Sequence, residues 1–204
     1  DFLNNYAESE NDTWGGAIYN DGNIVSMASN FNNNYAKGNN YVYGGIISNY
    51  GNITSITGSF TQNHAYSKSY AYGGAIDNGG TIANITGNFI QNYADGKQDA
   101  LGGAISNYEG TINNITGDFT ENYVLSDNNA GGGAIDNEGT ISNVMGNFTD
   151  NYAISSNGSA FGGAIFDTKP IGNITGNFIG NRAISESNAN LAYGGAVYTI
   201  ADTT

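Results

Sequence analysis

Apolar residues in this chain fall in short alternating runs separated by Gly, Asn and Ser, and the runs recur at a fixed interval. One copy reads GGAIDN over 73–78, GGTIANITGN over 79–88 and FIQNYA over 89–94. Period-two alternation bounded by turn residues predicts strands. The phenylalanines Phe2, Phe31, Phe60, Phe89, Phe119, Phe148 and Phe178 follow one another at steps of 29 or 30 residues. Glycine pairs begin at Gly15, Gly44, Gly73, Gly102, Gly132, Gly162 and Gly194. Self-similarity at this period means stacked units that touch only their neighbours. The expected fold is all-β: a right-handed parallel β-helix, or solenoid, of about seven coils of 29–30 residues with three short strands per coil. The hand follows from the chirality of parallel crossovers.

Stacking turns each repeat position into a column. Three aliphatic columns follow: Ile18, Ile47, Ile76, Ile105, Ile135, Ile165 and Val197; Ile24, Ile53, Ile82, Ile112, Ile141 and Ile171; and Met27, Ile56, Ile85, Ile115, Val144 and Ile174. With the phenylalanines they are expected to fill the interior. The Asn of each FxxN element (Asn5, Asn34, Asn63, Asn92, Asn122, Asn151, Asn181) suits an amide ladder, donating to one neighbour and accepting from the other. A second Asn column runs Asn20, Asn49, Asn78, Asn107 and Asn137, with Asp167 interrupting it. The glycine pairs are expected at tight corners where a Cβ would clash. Length varies mainly between the FxxN Asn and the next glycine pair, over 37–43 and its equivalents. Such variation in solenoids lines one side, often the binding side.

Composition narrows the class. Leucine occurs only four times, which disfavours helices and a leucine-rich repeat. Charged residues make up 11% and the net charge is −13, with five Lys and Arg scattered along the chain. Nothing there could neutralise a run of phosphates, so nucleic acid is not an expected partner. No cysteine is present, which excludes disulfides and thiolate zinc sites. No long apolar span suggests membrane insertion of this segment. Residues 1–204 are read as a single β-helix segment whose two ends cut through the repeat without a polar cap. That reading suggests part of a longer array or a protomer that stacks end to end.

Candidate chemistry is sparse. His64 stands in a tyrosine column with no second ligand nearby, and Asp77 and Asp136 share a column with Ser106 between them. Two rungs separate that pair by roughly 9.6 Å, at the wide edge for an inverting glycosidase. On a plain repeat face the pair reads as solvated charge. No catalytic residue, metal ligand or cofactor site is expected. The candidate binding surface is aromatic instead: Trp14, Tyr43, Tyr72 and Tyr193 before the glycine pairs, and Tyr35, Tyr93, Tyr123 and Tyr152 after the FxxN Asn. Aromatic rows are favoured at recognition hot spots.

The alternating GGA[I/V] and FxxN tetrapeptides, from Phe2 to Val197, resemble the passenger repeats of chlamydial polymorphic outer membrane proteins and, more broadly, of bacterial autotransporters. Gly44-Gly45-Ile46-Ile47 departs from the strict form. The resemblance implies an exported, extracellular β-helix at the cell surface that mediates adhesion. The expected function is a non-enzymatic adhesin or passenger stalk that presents variable loops and tyrosines to a protein or glycan of a host or neighbouring cell. The alternative is a structural protomer of an extracellular filament or surface layer, assembling head to tail.

Overall fold

The structure, a computed structural model, describes residues 1–200. Every regular element among them is a strand. The strands form five parallel sheets wound as a right-handed β-helix, each strand pairing with its copies in the coils above and below. Four sheets have seven strands and one has six, so the seven coils expected from the repeat are present. Partners are in register: Phe60 opposes Phe31 and Phe89, and Ile76 opposes Ile47 and Ile105.

One coil shows how the residues set the path. Its strands are Phe60–Thr61, His64–Ser67, Tyr70–Tyr72, Ile76–Asn78 and Thr81–Thr86. They enter, in order, the Phe, Tyr, shoulder, floor and long sheets. Three strands per coil were expected and five are found, for two reasons. The third residue of FxxN (Asn33, Gln62, Gln91, Glu121, Asp150) has φ between 53° and 55°, a left-handed step that ends the Phe strand. The stretch read as a variable loop is also mostly strand, with Tyr35–Gly38 and Tyr41–Tyr43 on either side of a short tip. Between these two sheets lies a narrow second core of Ala and Val, including Ala36, Val42, Ala65 and Ala71. Small side chains let the sheets close on each other, but alanine gives little hydrophobic contrast in the sequence.

The glycine pair makes the corner between the shoulder and floor sheets. Gly73 has φ of +65°, and a Cβ there would stand 2.1 Å from the Ile76 carbonyl oxygen. A Cβ on Gly74 would stand 2.1 Å from the Gly103 carbonyl oxygen of the next coil. Both distances are far inside van der Waals contact, so both positions require glycine.

The four predicted columns form the main core. In the interior coils their Ile, Val and Phe side chains are fully buried, and Ile46, which replaces the usual Ala, joins them. The Phe rings stack face over face at 4.5–5.1 Å with interplanar angles of 2–11°. That geometry lies within the favourable range for aromatic pairs.

The FxxN spacing now has a cause. Asn92 Nδ2 donates to Asn122 Oδ1 (3.0 Å) and to the Phe60 carbonyl of the preceding coil (2.9 Å). Asn92 Oδ1 accepts from the Asn63 backbone N–H (3.1 Å) and from Asn63 Nδ2 (2.8 Å). Each buried amide therefore ties its own coil to both neighbours. The second ladder joins Asn20, Asn49, Asn78, Asn107 and Asn137 by Nδ2-to-Oδ1 bonds of 2.7–2.8 Å. Asp167 breaks the run of amides but takes its last bond: Asp167 Oδ1 accepts from Asn137 Nδ2 at 3.0 Å. A carboxylate has no amide donor, so the ladder ends there as an acceptor.

Phe89→Ala is expected to cost ~3–5 kcal/mol by opening the buried stack. Asn92→Ala is expected to cost ~1–3 kcal/mol for each polar group it strands. Chemical denaturation of both variants checks this, and an unchanged midpoint for Phe89→Ala would remove the ring from the core.

Candidate functional site

The floor strands carry the buried Ile column on one face and a second column on the other. That second column reads Tyr19, Ser48, Asp77, Ser106, Asp136, Phe166 and Tyr198, each residue paired in register with the next. Its middle four members are small and polar, whereas its ends are aromatic. The small members leave a cleft of about 510 Å³ over the interior coils. Tyr43, Tyr72 and Leu101 of the shoulder sheet wall it on one side, with Tyr41 and Asp99 beside them. Tyr50, Gly79, Tyr108, Glu109 and Glu138 wall it on the other, and Asp77, Ser106 and Asp136 lie at its floor.

The walls follow from local sequence. Glu109, the one-residue insertion in its coil, takes φ of 59° and is absorbed in the turn, which delivers its carboxyl to the rim. A Cβ on Gly79 would meet the Tyr50 ring at 3.0 Å, so glycine leaves room for that ring. At one end of the cleft Trp14 stacks on Tyr43 with ring centroids 5.9 Å apart. At the other end Phe161, Phe166, Tyr193 and Tyr198 form an aromatic plug with centroids 5.0–5.8 Å apart. A side chain at Gly131 would collide with Phe166 at 2.7 Å, which is why the shoulder column has no aromatic there.

Asp77 and Asp136 are each 1% exposed, and Oδ1 of each has no hydrogen-bond partner. Burial pushes the Asp77 carboxyl up to about 8, with hydrogen bonding from Ser106 opposing the shift. Burial raises Asp136 well above the ordinary carboxylate range, and the charges of Glu138, Asp77 and Asp167 add to it. Burial also raises Asp99, Glu138 and the phenols of Tyr43 and Tyr72, and takes Tyr50 to about 12. A hydrolytic pair needs its two carboxyls driven apart, one held ionised and one protonated. Here burial moves both floor acids the same way, upward.

The second candidate row lies elsewhere. Tyr6, Tyr35, His64, Tyr93, Tyr123 and Tyr152 stack along the Tyr sheet at 4.8–5.2 Å. Burial lowers the His64 pKa, so the ring sits neutral among the phenols at neutral pH. An open groove of about 860 Å³ runs along this row, past Gln62, Gln91, Glu121, Asp150 and Arg182. The eight aromatics singled out in the sequence therefore divide three ways. Tyr43 and Tyr72 wall the cleft, and Trp14 and Tyr193 stand at its two ends. Tyr35, Tyr93, Tyr123 and Tyr152 belong to the separate Tyr row.

Sequence reasoning placed Asp77 and Asp136 on a solvated face, and the structure corrects this. The shoulder and corner aromatics rise on both sides and bury them. The signal available was the bulk pattern of the column, with aromatic ends around a small polar middle. Tyr50, Tyr108, Glu109 and Glu138 were missed because they occupy turns that differ between coils. Among the described residues, no group of three or more His, Asp or Glu is placed to hold a metal ion. No helix among them is long and apolar enough to cross a membrane.

The first coil contains one FxxN, Phe2 to Asn5, and one GGAI, Gly15 to Ile18. Residues 1–21 match the Chlamydia polymorphic membrane protein repeat. The later coils carry the same two tetrapeptides at the Phe strand and at the glycine corner. No curated protein and no solved structure matches the chain.

The floor acids make stability depend on pH with a definite sign. A carboxyl whose folded pKa is raised stabilises fully below its unfolded value near 3.8, and that contribution is lost as pH rises through about 8 for Asp77. Melting temperature is expected to fall from pH 4 to pH 8. Asp77→Asn is expected to flatten the profile and to stabilise the protein at pH 8 by at least ~1 kcal/mol, the equivalent of one pKa unit. Thermal unfolding across this range checks it, and a profile that rises towards pH 8 would show that Asp77 is solvated.

Proposed function

We propose that this chain is a non-enzymatic passenger stalk at a bacterial cell surface, and that it acts as an adhesin through the aromatic-walled cleft of the floor sheet. The single observation that carries this reading is the cleft itself. It is a concave site walled by tyrosines, with unpartnered polar groups at its base. Ligand sites characteristically combine aromatic walls with a few convergent polar groups. The repeat matched at residues 1–21 is that of a membrane protein family, which supports a surface location. The partner is a protein or glycan exposed on a host or neighbouring cell.

Binding of the labelled chain to cultured epithelial cells tests the reading. The double variant Tyr50→Ala/Tyr72→Ala is expected to lose binding by roughly tenfold or more, as hot-spot truncation does. Tyr93→Ala/Tyr123→Ala, on the other row, is expected to bind as the parent does. Equal binding by the cleft variant and the parent would move the interface elsewhere, and turnover of a polysaccharide by the purified chain would overturn the non-enzymatic assignment.

A further inference from the structure

We propose that the cleft takes an organic ammonium group, seated between the tyrosine walls over the floor carboxyls of Asp77 and Asp136. This rests on the cleft being the recognition surface, and it names the ligand chemistry. Three observations carry it. First, Asp77 and Asp136 are almost wholly buried, line the cleft, and each leaves Oδ1 without a partner. A buried acceptor left unpaired is costly, and a ligand that brings positive charge or N–H donors removes the cost. Second, the lining holds five carboxyl groups (Asp77, Asp99, Asp136, Glu109 and Glu138) and no Lys, Arg or His. A concave site whose charged side chains can only be negative disfavours acidic polysaccharides and phosphates, and its pull on cations grows as the carboxyls ionise. Third, five tyrosines line the volume: Tyr41, Tyr43 and Tyr72, stacked on one another along the shoulder, and Tyr50 and Tyr108 on the facing wall. Ring faces attract cations, and several such rings around one volume form the arrangement that recognises quaternary ammonium groups.

The pH response separates this ligand from a neutral sugar. Burial raises Asp77 to about 8 and raises Asp136 well above the ordinary carboxylate range. Asp77 is faced by Ser106 along the floor and by Tyr43 and Tyr50 from the two walls. Asp136 is faced by Ser106, Glu138, Asp77 and Asp167, and Asp99 stands by Tyr72 on the shoulder side. None of these neighbours is a cation, although Lys169, outside the lining, draws the Glu138 carboxyl towards its charged form. A bound cation favours the ionised carboxyl, so binding expels a proton to the buffer. Affinity then rises with pH until Asp77 is already ionised in the free cleft. A neutral sugar, which gains from the protonated acid as donor, weakens over the same range.

Calorimetric titration of the full chain with choline, with its neutral isostere 3,3-dimethyl-1-butanol and with cellotetraose tests the proposal. Choline is expected to bind more tightly than the isostere, and to gain roughly tenfold or more between about pH 6 and about pH 8. Proton release should show as a buffer-dependent heat. Asp77→Asn and Asp136→Asn are expected to abolish the pH dependence and most of the choline affinity while still melting cooperatively. Tyr50→Leu, at a partly exposed wall, is expected to weaken choline several-fold and leave the isostere unchanged, which keeps the test available if a floor variant fails to fold. Equal binding of choline and the isostere overturns the ammonium assignment, as does choline binding indifferent to pH and to Asp77→Asn. Cellotetraose binding without choline binding overturns it too, yet leaves the cleft as the recognition surface. Failure of all three ligands, together with unaltered cell binding by the Tyr50→Ala/Tyr72→Ala variant, removes both.

Discussion

In-register pairing between successive coils governs everything else in this molecule. With strands ~4.8 Å apart, every side chain meets its own counterpart from the neighbouring coil. Only chemistries that tolerate self-contact can be repeated. Phenyl on phenyl does so by stacking, and amide on amide by donating and accepting in turn. Like charge on like charge is less favourable, and several charged groups sit beside an opposite charge or a neutral partner, although Glu121 and Asp150 do follow one another at the FxxN turn. Lys97 lies 3.7 Å from Asp95 and 3.8 Å from Asp127, and Lys37 lies 3.7 Å from Glu8. Gln91 donates to Glu121 at 2.7 Å. Ser106 separates Asp77 from Asp136. The low charged content of 11% follows from the architecture rather than from any special solvent.

The same constraint decided what could be read before the structure was known. Ile76, Phe89 and Asn92 each belong to columns that repeat in all or nearly all coils, so the core, the ladder and the glycine corner were legible from spacing alone. Two features were not. The left-handed step at Gln62 and its equivalents is shared by Asn, Gln, Glu and Asp, a set whose members have no common side-chain signature beyond polarity. The Ala36–Ala65–Ala94 column is a true core, yet alanine contrasts too little with its neighbours to announce burial. Both errors concerned how often the coil bends, and neither changed which residues stack.

The cleft was harder to read because its residues do not repeat. Tyr43 and Tyr72 were legible as members of a column. Tyr50, Gly79, Tyr108 and Glu138 occupy one turn position with three different residue types. Asp77 and Asp136 looked solvated because a strand residue that points away from the core normally is. Their burial comes from neighbouring sheets and coils, through aromatics such as Tyr43 and Tyr50, 34 and 27 residues before Asp77, and no local pattern encodes that.

Folding alone does not require this arrangement. Tyr19, Phe166 and Tyr198 show that the outward face of the floor sheet accepts aromatic rings and packs them. Continuing that column through all coils would extend a favourable stack and would bury no carboxyl. Instead four consecutive coils carry Ser48, Asp77, Ser106 and Asp136, giving up ring contacts and leaving Oδ1 of both acids unpaired. Among the described residues this column gives up self-contact over the middle coils, and the proposed recognition surface rests on that exchange.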